Sequence, residues 1–580
     1  MIPRPEHPFP QFERKNWLNL NGDWQFEIDH GCTGRARGLQ QPEHELNDRI
    51  VVPFCPESSL SGVEYKDFMA SVWYRRTVTI PESFLGQRVF LHIGACDYRT
   101  EAFVNGQTVG THIGGYTPMC FDITAALTEG ENVITICAED DTRSGLQPVG
   151  KQSVLYGSYG CSYTRTTGIW QTVWLEARPE SYMETYHVNA GMDGFVELTV
   201  NAVGAEGMQV SAVAALEDEL CAMTSGVVRG GIARLHMQLP DVQLWSPETP
   251  VLYDLTLTLG EDEVKSYFGV REVWYGDHRF YLNGKSIFGR FILDQGFYPD
   301  GIYTAPTEEE LIADITRSMD CGFNGARLHQ KVFEPRFLYH CDRLGYMVWD
   351  EHANWGLNIA RDGAWRNFVP EWLEVVKRDW NHPAIVGWCP FNETQKDTPA
   401  DLLAYVYHMT KALDATRPVI ETSGWVHIPG CCDMPDWHDY EQDPDVFRAN
   451  YQRLLKGEDV ISHLPPELPF GPPCAKDLCF VSEFGGTWWS PAQAEKMKGE
   501  KAHAESWGYG IAPGSAEEFL ARYRGLVDAL LDNERICAFC YTQLTDGEQE
   551  QNGLYTYDRK AKFDPALLHA ITSRKSVVED

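Results

Sequence analysis

The second half of the sequence alternates short apolar runs with amphipathic segments, and this alternation restricts the fold more than any other feature of the chain. The helical segments are clearest at 307–319 and 517–533, where apolar residues recur every three or four positions after a Thr or Ser that can cap the helix. We predict eight strands around such segments, at 286–293, 323–328, 347–350, 384–391, 419–422, 432–437, 478–483 and 536–542. Strands joined by helices form parallel sheets, and eight strands in roughly 300 residues make a closed barrel. The sequence therefore predicts a (β/α)8 TIM barrel over residues 276–580.

The first half of the sequence has the texture of antiparallel β-structure. Short runs such as WYRRTVTIP and NVITICAED are separated by Gly, Pro, Asn and Asp, and no helical period is sustained. The Asn105–Gly106 pair between apolar flanks predicts a tight hairpin, because both turn residues tolerate positive φ. We expect a jelly-roll β-sandwich over residues 1–180. Strands recur as often in the next, smaller unit, which predicts an immunoglobulin-like β-sandwich over residues 181–275.

The composition argues against several classes of partner. A formal net charge of −34 at pH 7, without a cluster of Lys and Arg, argues against nucleic acid. No apolar run is long enough to span a membrane, and the first residues lack the apolar segment of a signal peptide, which favours a cytoplasmic protein. The 16 cysteines are scattered along the sequence, a pattern that favours reduced, buried thiols over a disulfide framework. We predict no metal and no cofactor, because the close pairs Cys431–Cys432 and Cys537–Cys540 lack a second pair at zinc spacing.

Two of the predicted strands end in a glutamate. AIVGWCPFNE supplies Glu393, and LCFVSEFGG supplies Glu483. Side chains at the C-terminal ends of barrel strands converge on one mouth, where barrel enzymes hold their active sites. Glycoside hydrolysis uses a pair of such carboxyl groups, one of them protonated, on either side of the scissile bond. Either glutamate alone could be a polar cap of a buried strand, but Asn392 beside one and Gly485–Gly486 after the other favour a shared catalytic role.

Other polar or aromatic side chains follow predicted strands and are candidates for binding a substrate at the mouth. The polar groups could bond sugar hydroxyls, and an indole face could stack on a pyranose ring. Each could equally have a structural role, and the two histidines are too few for a metal site. The segment 484–514 has no strong period and is predicted to form a long loop over the mouth. The candidates are Asp294, Arg327, His329, Asp350, Glu351, Asn392, His438, Tyr440, Trp488, Gln543 and Asp546.

A series of motifs runs through nearly the whole chain. The first domain carries NLNGDWQFEID, FVNGQTVGTHIGGYTPMCFDIT and TTGIWQTVWLE, and the second closes with LWSPETPVLYDL and FGVRE. The barrel opens with FYLNGKSIF and continues through GFNGARLHQ, CDRLGYMVWDE, NHPAIVGWCPFNE and SEFGG. With these motifs in this order, the chain resembles glycoside hydrolase family 2, the group that holds β-galactosidases, β-glucuronidases and β-mannosidases.

The resemblance implies a retaining mechanism with Glu393 as general acid/base and Glu483 as nucleophile. It also implies that Asn392 donates a hydrogen bond to the 2-hydroxyl of the sugar. The partner implied is a small carbohydrate or glycoside, and the protein is expected to be a homo-oligomer. Retention predicts that the two carboxyl groups lie about 5–5.5 Å apart.

Three segments depart from well-known members of that family and leave the sugar open. RFILDQGFYPDG, at the first strand, lacks the Asn-Arg-His-Glu-type segment of the best-known β-galactosidases. The stretch 550–553 reads EQNG and offers no cation where β-glucuronidases have Asn-x-Lys. Arg327 and His329 are one residue closer than the commoner Arg-x-x-His spacing. Acidic candidates such as Asp294 and Asp546 favour a neutral sugar over a uronic acid.

We therefore expect a retaining exo-glycosidase that removes terminal non-reducing sugars and is β-galactosidase-like on neutral glycosides. The alternatives within the family are a β-glucuronidase, or a galactofuranosidase or arabinosidase. A catalytically inactive carbohydrate-binding protein is a further alternative. Inactive relatives are expected to lose one of the two glutamates, and both are present in this chain.

Overall fold

The computed structural model describes residues 2–394, 398–460, 477–493, 501–503 and 506–580. It confirms a jelly-roll β-sandwich, an immunoglobulin-like β-sandwich and a C-terminal TIM barrel. Each sandwich has an apolar core, and the largest core belongs to the barrel and continues into the first sandwich. The exact domain boundaries stay a prediction. Within the described ranges no helix is both long and apolar enough to cross a membrane, and every cysteine is free of a disulfide.

The first sandwich packs a four-stranded sheet, in the order β1-β12-β5-β9, against a six-stranded sheet, in the order β3-β2-β4-β10-β7-β8. Asn105 and Gly106 have φ angles of 50° and 79° and join β7 to β8, which confirms the predicted hairpin. The elements are β1 Trp17–Asn19, β2 Gly22–Ile28, α1 Gly34–Arg37, β3 Asp48–Val52, β4 Ser71–Thr79, β5 Arg88–Ile93, β6 Cys96–Asp97, β7 Arg99–Val104, β8 Gln107–Ile113, β9 Met119–Asp122, β10 Glu131–Glu139, β11 Gly168–Ile169 and β12 Val173–Arg178.

The second sandwich pairs a three-stranded sheet, β13-β14-β17, with a four-stranded sheet, β16-β15-β18-β19. Its strands alternate buried and exposed side chains, as strands with one face on a core do. A small three-stranded sheet, β20-β21-β22, leads into the barrel. The strands are β13 Tyr182–Ala190, β14 Phe195–Val203, β15 Gln209–Leu216, β16 Glu219–Val227, β17 Ile232–Gln238, β18 Tyr253–Leu259, β19 Asp262–Phe268, β20 Val273–Gly276, β21 Arg279–Leu282 and β22 Lys285–Ile287.

The barrel contains a seven-stranded parallel sheet in the order β26-β25-β24-β23-β31-β28-β27. Its strands are buried on both faces, because side chains fill the interior and helices cover the outside. The strands are β23 Gly289–Asp294, β24 Gly325–Leu328, β25 Met347–Glu351, β26 Ile385–Cys389, β27 Asp436–Asp439, β28 Phe480–Gly485 and β31 Ala538–Thr542, with a hairpin of β29 Lys501–His503 and β30 Ser506–Ile511. The helices are α2 Glu308–Asp320, α3 Pro335–Leu344, α4 Asp362–Asp379, α5 Ala400–Leu413, α6 Pro444–Tyr451, α7 Ala516–Leu531 and α8 Pro565–Thr572.

The position of the predicted fifth strand is occupied by irregular chain, so the prediction of a strand at 419–422 is wrong. Beside β26 this chain makes isolated parallel bridges, Trp388 with Val419 and Asn392 with Ser423. The amide of Glu393 donates to Ser423 O at 2.8 Å. The irregular segment therefore still packs against β26 and fixes the backbone of Glu393.

The local sequence explains why no ladder forms there. Pro418 has no N–H to donate to a neighbouring strand. On the other side, Asp433 N donates to Val419 O at 2.9 Å, and the Ser423 hydroxyl donates to Asp436 Oδ2 at 2.5 Å. One backbone and one side-chain hydrogen bond thus connect this segment to β27 and to the chain just before it, in place of a ladder. The strand that follows is β27 rather than the predicted 432–437, and this later position places His438 within it.

Candidate active site

The two predicted catalytic glutamates lie together at the mouth of the barrel. Glu483 is within β28, and Glu393 follows β26 with a left-handed backbone at φ 48°. His438 on β27 lies between them, with Nδ1 2.9 Å from Glu393 Oε1 and Nε2 3.5 Å from Glu483 Oε1. One carboxylate oxygen of each glutamate and a ring nitrogen of His438 all lie within 4.8 Å of one another. The two carboxyl groups can therefore contact the same small ligand.

The surroundings of Glu483 favour its ionised form. Arg327 Nη1 donates to Oε1 at 3.0 Å, and the Tyr440 hydroxyl donates to Oε2. Burial raises the pKa of Glu483, but His438, Arg327 and His329 together lower it more, so it lies well below its usual range. This carboxylate is therefore charged at neutral pH, as a nucleophile must be.

Arg327, at the end of β24, links Glu483 to two other candidates. Its Nε donates to Glu351 Oε2 at 2.8 Å, and its Nη2 donates to Asn392 Oδ1 at 2.5 Å. His329 Nδ1 lies 3.0 Å from Glu351 Oε1 and 3.9 Å from Glu483 Oε1. Burial raises the pKa of Glu351, but Arg327 and His329 bring it down to about 2. Arg327, His329 and Glu351, all predicted from the sequence, thus form one charged network with Glu483.

Asn392 is held so that only part of its amide is satisfied by the protein. Its backbone N–H donates to Asn354 Oδ1 at 2.9 Å, and its Oδ1 accepts from Arg327. Its side-chain nitrogen is buried and has no acceptor among the residues described. A buried donor without a partner costs free energy unless a ligand supplies the acceptor. The side chain can therefore donate to a substrate hydroxyl.

His438 lies between the two carboxyl groups, and these groups favour its protonated, positively charged form. Its Nε2 also lies 3.0 Å from Ser423 Oγ. Burial lowers the pKa of His438, but Glu483 and Glu393 raise it more, so the net pKa is above its usual value. The imidazole therefore reduces the repulsion between the glutamates while keeping each oriented.

Tyr440 connects Glu483 to the chain above the mouth. Its hydroxyl lies 3.1 Å from Thr542 Oγ1, and its ring stacks on Tyr509 at 3.4 Å between centroids. Tyr509 belongs to β30, within the segment 484–514 that was predicted as a loop. The described part of that segment contains the hairpin β29–β30, while residues 494–500 and 504–505 lie outside the described residues. The segment thus contributes an aromatic side chain that packs on Tyr440.

Two other predicted candidates at strand ends, Asp350 and Asp294, lie outside the charged network around Glu483. Asp350 and Glu351 are adjacent on β25 and therefore face opposite sides of the sheet. Glu351 faces Arg327, whereas Asp350 faces the Arg378 side, where burial and Asp379 hold its pKa well above its usual value. Asp294 accepts from Gly296 N at 2.9 Å, and burial raises its pKa to about 6. Neither makes a described bond to the catalytic glutamates.

Three further candidates bond to the protein around the mouth. Gln543 donates to Asn552 Oδ1 at 2.7 Å. Asp546 pairs with Lys562 at 2.6 Å. Trp488 Nε1 donates to Ser506 Oγ at 3.0 Å. These bonds stabilise the loops after β28 and β31, and any contact of the three side chains with substrate stays a prediction.

A second cluster has atoms at metal-ligand spacing but is better explained by ion pairs. Glu421, His427 and Cys432 place one donor atom each within 4.8 Å of one another. His427 Nδ1 is 3.3 Å from Glu421 Oε2, and its Nε2 is 3.1 Å from Asp436 Oδ1. Burial lowers the pKa of His427, but Cys432, Asp436 and Glu421 raise it well above its usual value. The contacts to Glu421 and Asp436 account for the position of the imidazole, so the cluster is explained as ion pairs.

The cavity that contains Glu393 has walls from two domains. Its volume is about 430 Å³. The fold predicted from the sequence implies that the sandwich domains form one wall of the barrel mouth. Sequence reasoning did not identify which residues of the first sandwich line it, because no strand-end pattern marks them. It also missed Asn354 and Ser423, which a search of the residues just after predicted strands could have found. The lining residues are Val149, Gly150, Gln152, Val154, Tyr159 and Ser162 from the first sandwich, and Asn354, Trp355, Gly356, Leu357, Ile359, Phe391, Glu393, Thr394, Thr398 and Trp425 from the barrel.

Family models match three parts of the chain in succession. Residues 18–179 match "Glycosyl hydrolases family 2, sugar binding domain". Residues 188–271 match "Glycosyl hydrolases family 2". Residues 277–429 match "Glycosyl hydrolases family 2, TIM barrel domain". The three matches follow the order of the three domains in the structure.

Curated relatives carry two different activities in their names. A β-glucuronidase of Felis catus is 28% identical over 473 residues, which cover 71% of this chain and 68% of the relative. A β-galactosidase of Thermoanaerobacter pseudethanolicus is 28% identical over 470 residues, which cover 75% of this chain but only 57% of the relative. The chain thus spans little more than half of that β-galactosidase.

Solved structures share the fold over almost the whole chain. A β-glucuronidase from Ruminococcus gnavus has a TM-score of 0.79 at 17% identity and covers 98% of this chain and 100% of that one. A Faecalibacterium prausnitzii β-glucuronidase has a TM-score of 0.78 at 21% identity, with 97% and 98% covered. At these identities the likeness concerns the fold alone.

Proposed function

The chain belongs to glycoside hydrolase family 2, and from this premise we propose that it is a retaining exo-glycosidase. Glu483 is assigned as the nucleophile and Glu393 as the general acid/base. The main support is the spacing, since one oxygen of each carboxyl group lies within 4.8 Å of the other. Retaining enzymes hold their carboxyl groups about 5–5.5 Å apart, whereas inverting enzymes leave about 6.5–9.5 Å for a water.

The proposed reaction has two displacements. In the first, Glu483 attacks the anomeric carbon while Glu393 gives its proton to the leaving oxygen, so the glycosidic bond breaks and a glycosyl ester forms. In the second, Glu393 takes a proton from water, whose oxygen attacks the anomeric carbon and releases Glu483. The two inversions together retain the configuration at the anomeric carbon.

The polar groups around the pair fit these roles. Arg327, His438 and Tyr440 stabilise the negative charge of Glu483 in the free enzyme and again when the ester is broken. The unsatisfied amide nitrogen of Asn392 supports its predicted hydrogen bond to the sugar 2-hydroxyl. A cavity of about 430 Å³ beside Glu393 has room for a small glycoside, in agreement with the proposed substrate class.

The sugar stays a prediction. The departures at the first strand and at 550–553 favour a β-galactosidase-like enzyme on neutral glycosides, with a β-glucuronidase, galactofuranosidase or arabinosidase as alternatives. Relatives named β-glucuronidase and β-galactosidase match the chain equally well, at 28% identity. The presence of both glutamates in one hydrogen-bonded network speaks against a purely carbohydrate-binding protein.

The decisive experiment combines product stereochemistry with trapping. Proton NMR of a p-nitrophenyl glycoside digest is expected to show the retained anomer first, and a 2-deoxy-2-fluoro glycoside is expected to label the peptide that contains Glu483. Glu393→Gln should lower kcat/KM about 10²–10⁴-fold for glycosides with poor leaving groups. The loss should be much smaller for dinitrophenyl glycosides, whose leaving group needs no proton from an acid. Glu579→Gln, which bonds Arg290 at the opposite end of β23, is the control for a glutamate outside the mouth. First release of the inverted anomer would contradict the mechanism.

A further inference from the structure

One segment of the first sandwich lies directly against the barrel mouth. The amides of Val149 and Gly150 both donate to Trp355 O, at 2.8 and 3.1 Å. Gly150 has φ 61°, and a Cβ there would lie 2.3 Å from Gln330 O and 3.1 Å from the Ala353 side chain. Only glycine permits this approach, so the position of the next residue is set closely by the barrel.

The same segment is held from the other side by the chain that follows β31. Lys151 O accepts from Tyr163 N at 2.7 Å. The Tyr163 hydroxyl donates to Glu550, and Gln549 donates to Ser162 O at 3.1 Å. The segment around Lys151 is therefore fixed between two groups of barrel loops.

Lys151 places a buried cation among these groups. The residue is 6% exposed, and its ammonium lies 4.0 Å from the centre of the Trp355 ring. It has no hydrogen bond or ion pair with any residue that the structure describes. Burial lowers the pKa of Lys151, but Cys161 and the carboxyl groups of Glu550, Glu483 and Glu393 raise it more, so the net pKa is above its usual value. The side chain is therefore charged and lies within electrostatic range of both catalytic glutamates.

The other buried cations around the mouth have acceptors in the protein. Arg327 bonds Glu351, Glu483 and Asn392. Lys331 donates to two carbonyl oxygens at 2.6 and 2.8 Å. Lys562 donates to Asp546 and to a carbonyl oxygen, both at 2.6 Å. Lys151 differs from all three in that its donors are left for a ligand.

Glu550, the carboxyl group that most raises the pKa of Lys151, does not take up these donors. Glu550 accepts from the Tyr163 hydroxyl and from Asn552 Nδ2 at 3.0 Å, so its two oxygens already have partners. A buried charge without a hydrogen-bonded partner is costly, and a ligand that supplies an anion removes that cost. A neutral hydroxyl supplies an acceptor but no compensating charge. The chemistry therefore favours an anionic group on the substrate.

We propose that Lys151 is a specificity-determining residue that binds a carboxylate on the terminal sugar, so that the substrate is a uronide. The proposal rests on the glycosidase function proposed above and deepens it by naming the substrate class. It also differs from the neutral glycoside favoured by the barrel sequence, because the cation comes from the first sandwich. The first sandwich thus selects the sugar, and the barrel performs the chemistry.

The test compares sugars that differ only in the carboxylate. kcat/KM is measured for p-nitrophenyl β-D-glucuronide against the β-D-glucoside, and for the β-D-galacturonide against the β-D-galactoside. The wild type is expected to prefer the uronide in at least one pair. Lys151→Met is expected to lower kcat/KM for that uronide roughly 100-fold or more. For the neutral glycoside of the same pair, kcat/KM should change by less than about threefold. Lys151→Arg, which keeps the charge, should retain part of the preference.

Control variants and further outcomes keep the two proposals apart. Lys285→Met, at an exposed position of β22, should leave all four rates unchanged, and thermal melting shows whether each variant is folded. Neutral members hydrolysed as fast as the uronides would overturn the role of Lys151 while leaving the glycosidase function intact. An equal loss on both members of a pair would likewise overturn it and assign Lys151 to general electrostatic support.

A protein inactive on the whole panel is tested by binding instead. Isothermal titration calorimetry compares D-glucuronate and D-galacturonate with glucose and galactose, for the wild type and for Lys151→Met. Preferential binding of a uronate that is lost in the variant supports the role of Lys151 even if the hydrolytic function fails. Absence of that preference refutes the inference.

Discussion

Removal of the Tyr440 hydroxyl tests how its hydrogen bond to Glu483 affects the two steps of the proposed reaction. The hydroxyl donates to Glu483 Oε2, whereas Arg327 and His438 act at Oε1. In the proposed mechanism Glu483 is negative in the free enzyme, neutral as the ester, and negative again as the ester breaks. The hydrogen bond therefore assists the second step, in which charge returns to Glu483, and opposes the first step, in which charge is lost.

The expected size follows from the strength of the bond. A hydrogen bond to a charged group contributes about 1.5–3 kcal/mol, which corresponds to roughly 10–150-fold in rate if the whole of it is lost in the transition state. Tyr440→Phe should therefore slow deglycosylation by up to that factor while glycosylation changes less. The ester should then accumulate when the leaving group is good.

Stopped-flow absorbance with a 2,4-dinitrophenyl glycoside measures this directly. Tyr440→Phe is expected to give a burst of dinitrophenolate that approaches one equivalent of enzyme, followed by a slow steady rate. Tyr407→Phe is the matched control, because its hydroxyl also donates to a carboxylate, Asp433 Oδ1 at 2.6 Å, but away from the mouth. An unchanged kcat, or an equal loss on activated and unactivated glycosides without a burst, would refute this account of Tyr440.

Three further perturbations test other parts of the structure. Gly150→Ala brings a Cβ to 2.3 Å from Gln330 O, so we expect a lower melting temperature and a kcat/KM reduced at least tenfold; unchanged values for both would show that the contact can relax. Burial raises the pKa of Glu57 to about 8, so the folded state keeps a proton that the unfolded state releases near pH 4.5, and stability should fall as pH rises from about 4.5 to 8. At about 1.4 kcal/mol per pKa unit, the fall in the free energy of unfolding is at most several kcal/mol. Glu57→Gln should remove this fall, and melting temperatures that depend on pH equally in the wild type and the variant would contradict the prediction. Asn392→Ala should lower kcat/KM strongly for a 2-hydroxy sugar and little for its 2-deoxy analogue, and equal losses on both would exclude the predicted bond to the 2-hydroxyl.

The predictable part of the fold is the part in which each element is specified locally. Seven of the eight predicted barrel strands overlap a strand of the parallel sheet in the structure. They could be predicted because buried parallel strands appear in the sequence as continuous apolar runs. The prediction at 419–422 failed because its register depends on partners distant in sequence. Ser423 bonds Asp436 across a gap, and Pro418 interrupts the ladder.

The same distinction applies to the site. Glu393 and Glu483 could be predicted because both end apolar strands of a barrel, whose geometry brings such positions together. Asp350 and Glu351 could not be separated, since either could face inward until the register of β25 was known. Lys151 gave no signal, because it lies in an irregular stretch of the first sandwich and reaches the mouth only through the contacts of Gly150 and Tyr163.

The contact of Gly150 with the barrel also has a consequence for synthesis. A ribosome makes the first sandwich before any strand of the barrel exists, and N-terminal domains generally fold first. The segment that carries Lys151 therefore acquires its final neighbours only after Trp355 and the chain that follows β31 have been synthesised. With the role proposed for Lys151, selection of the sugar should consequently be the last property to appear as the chain matures.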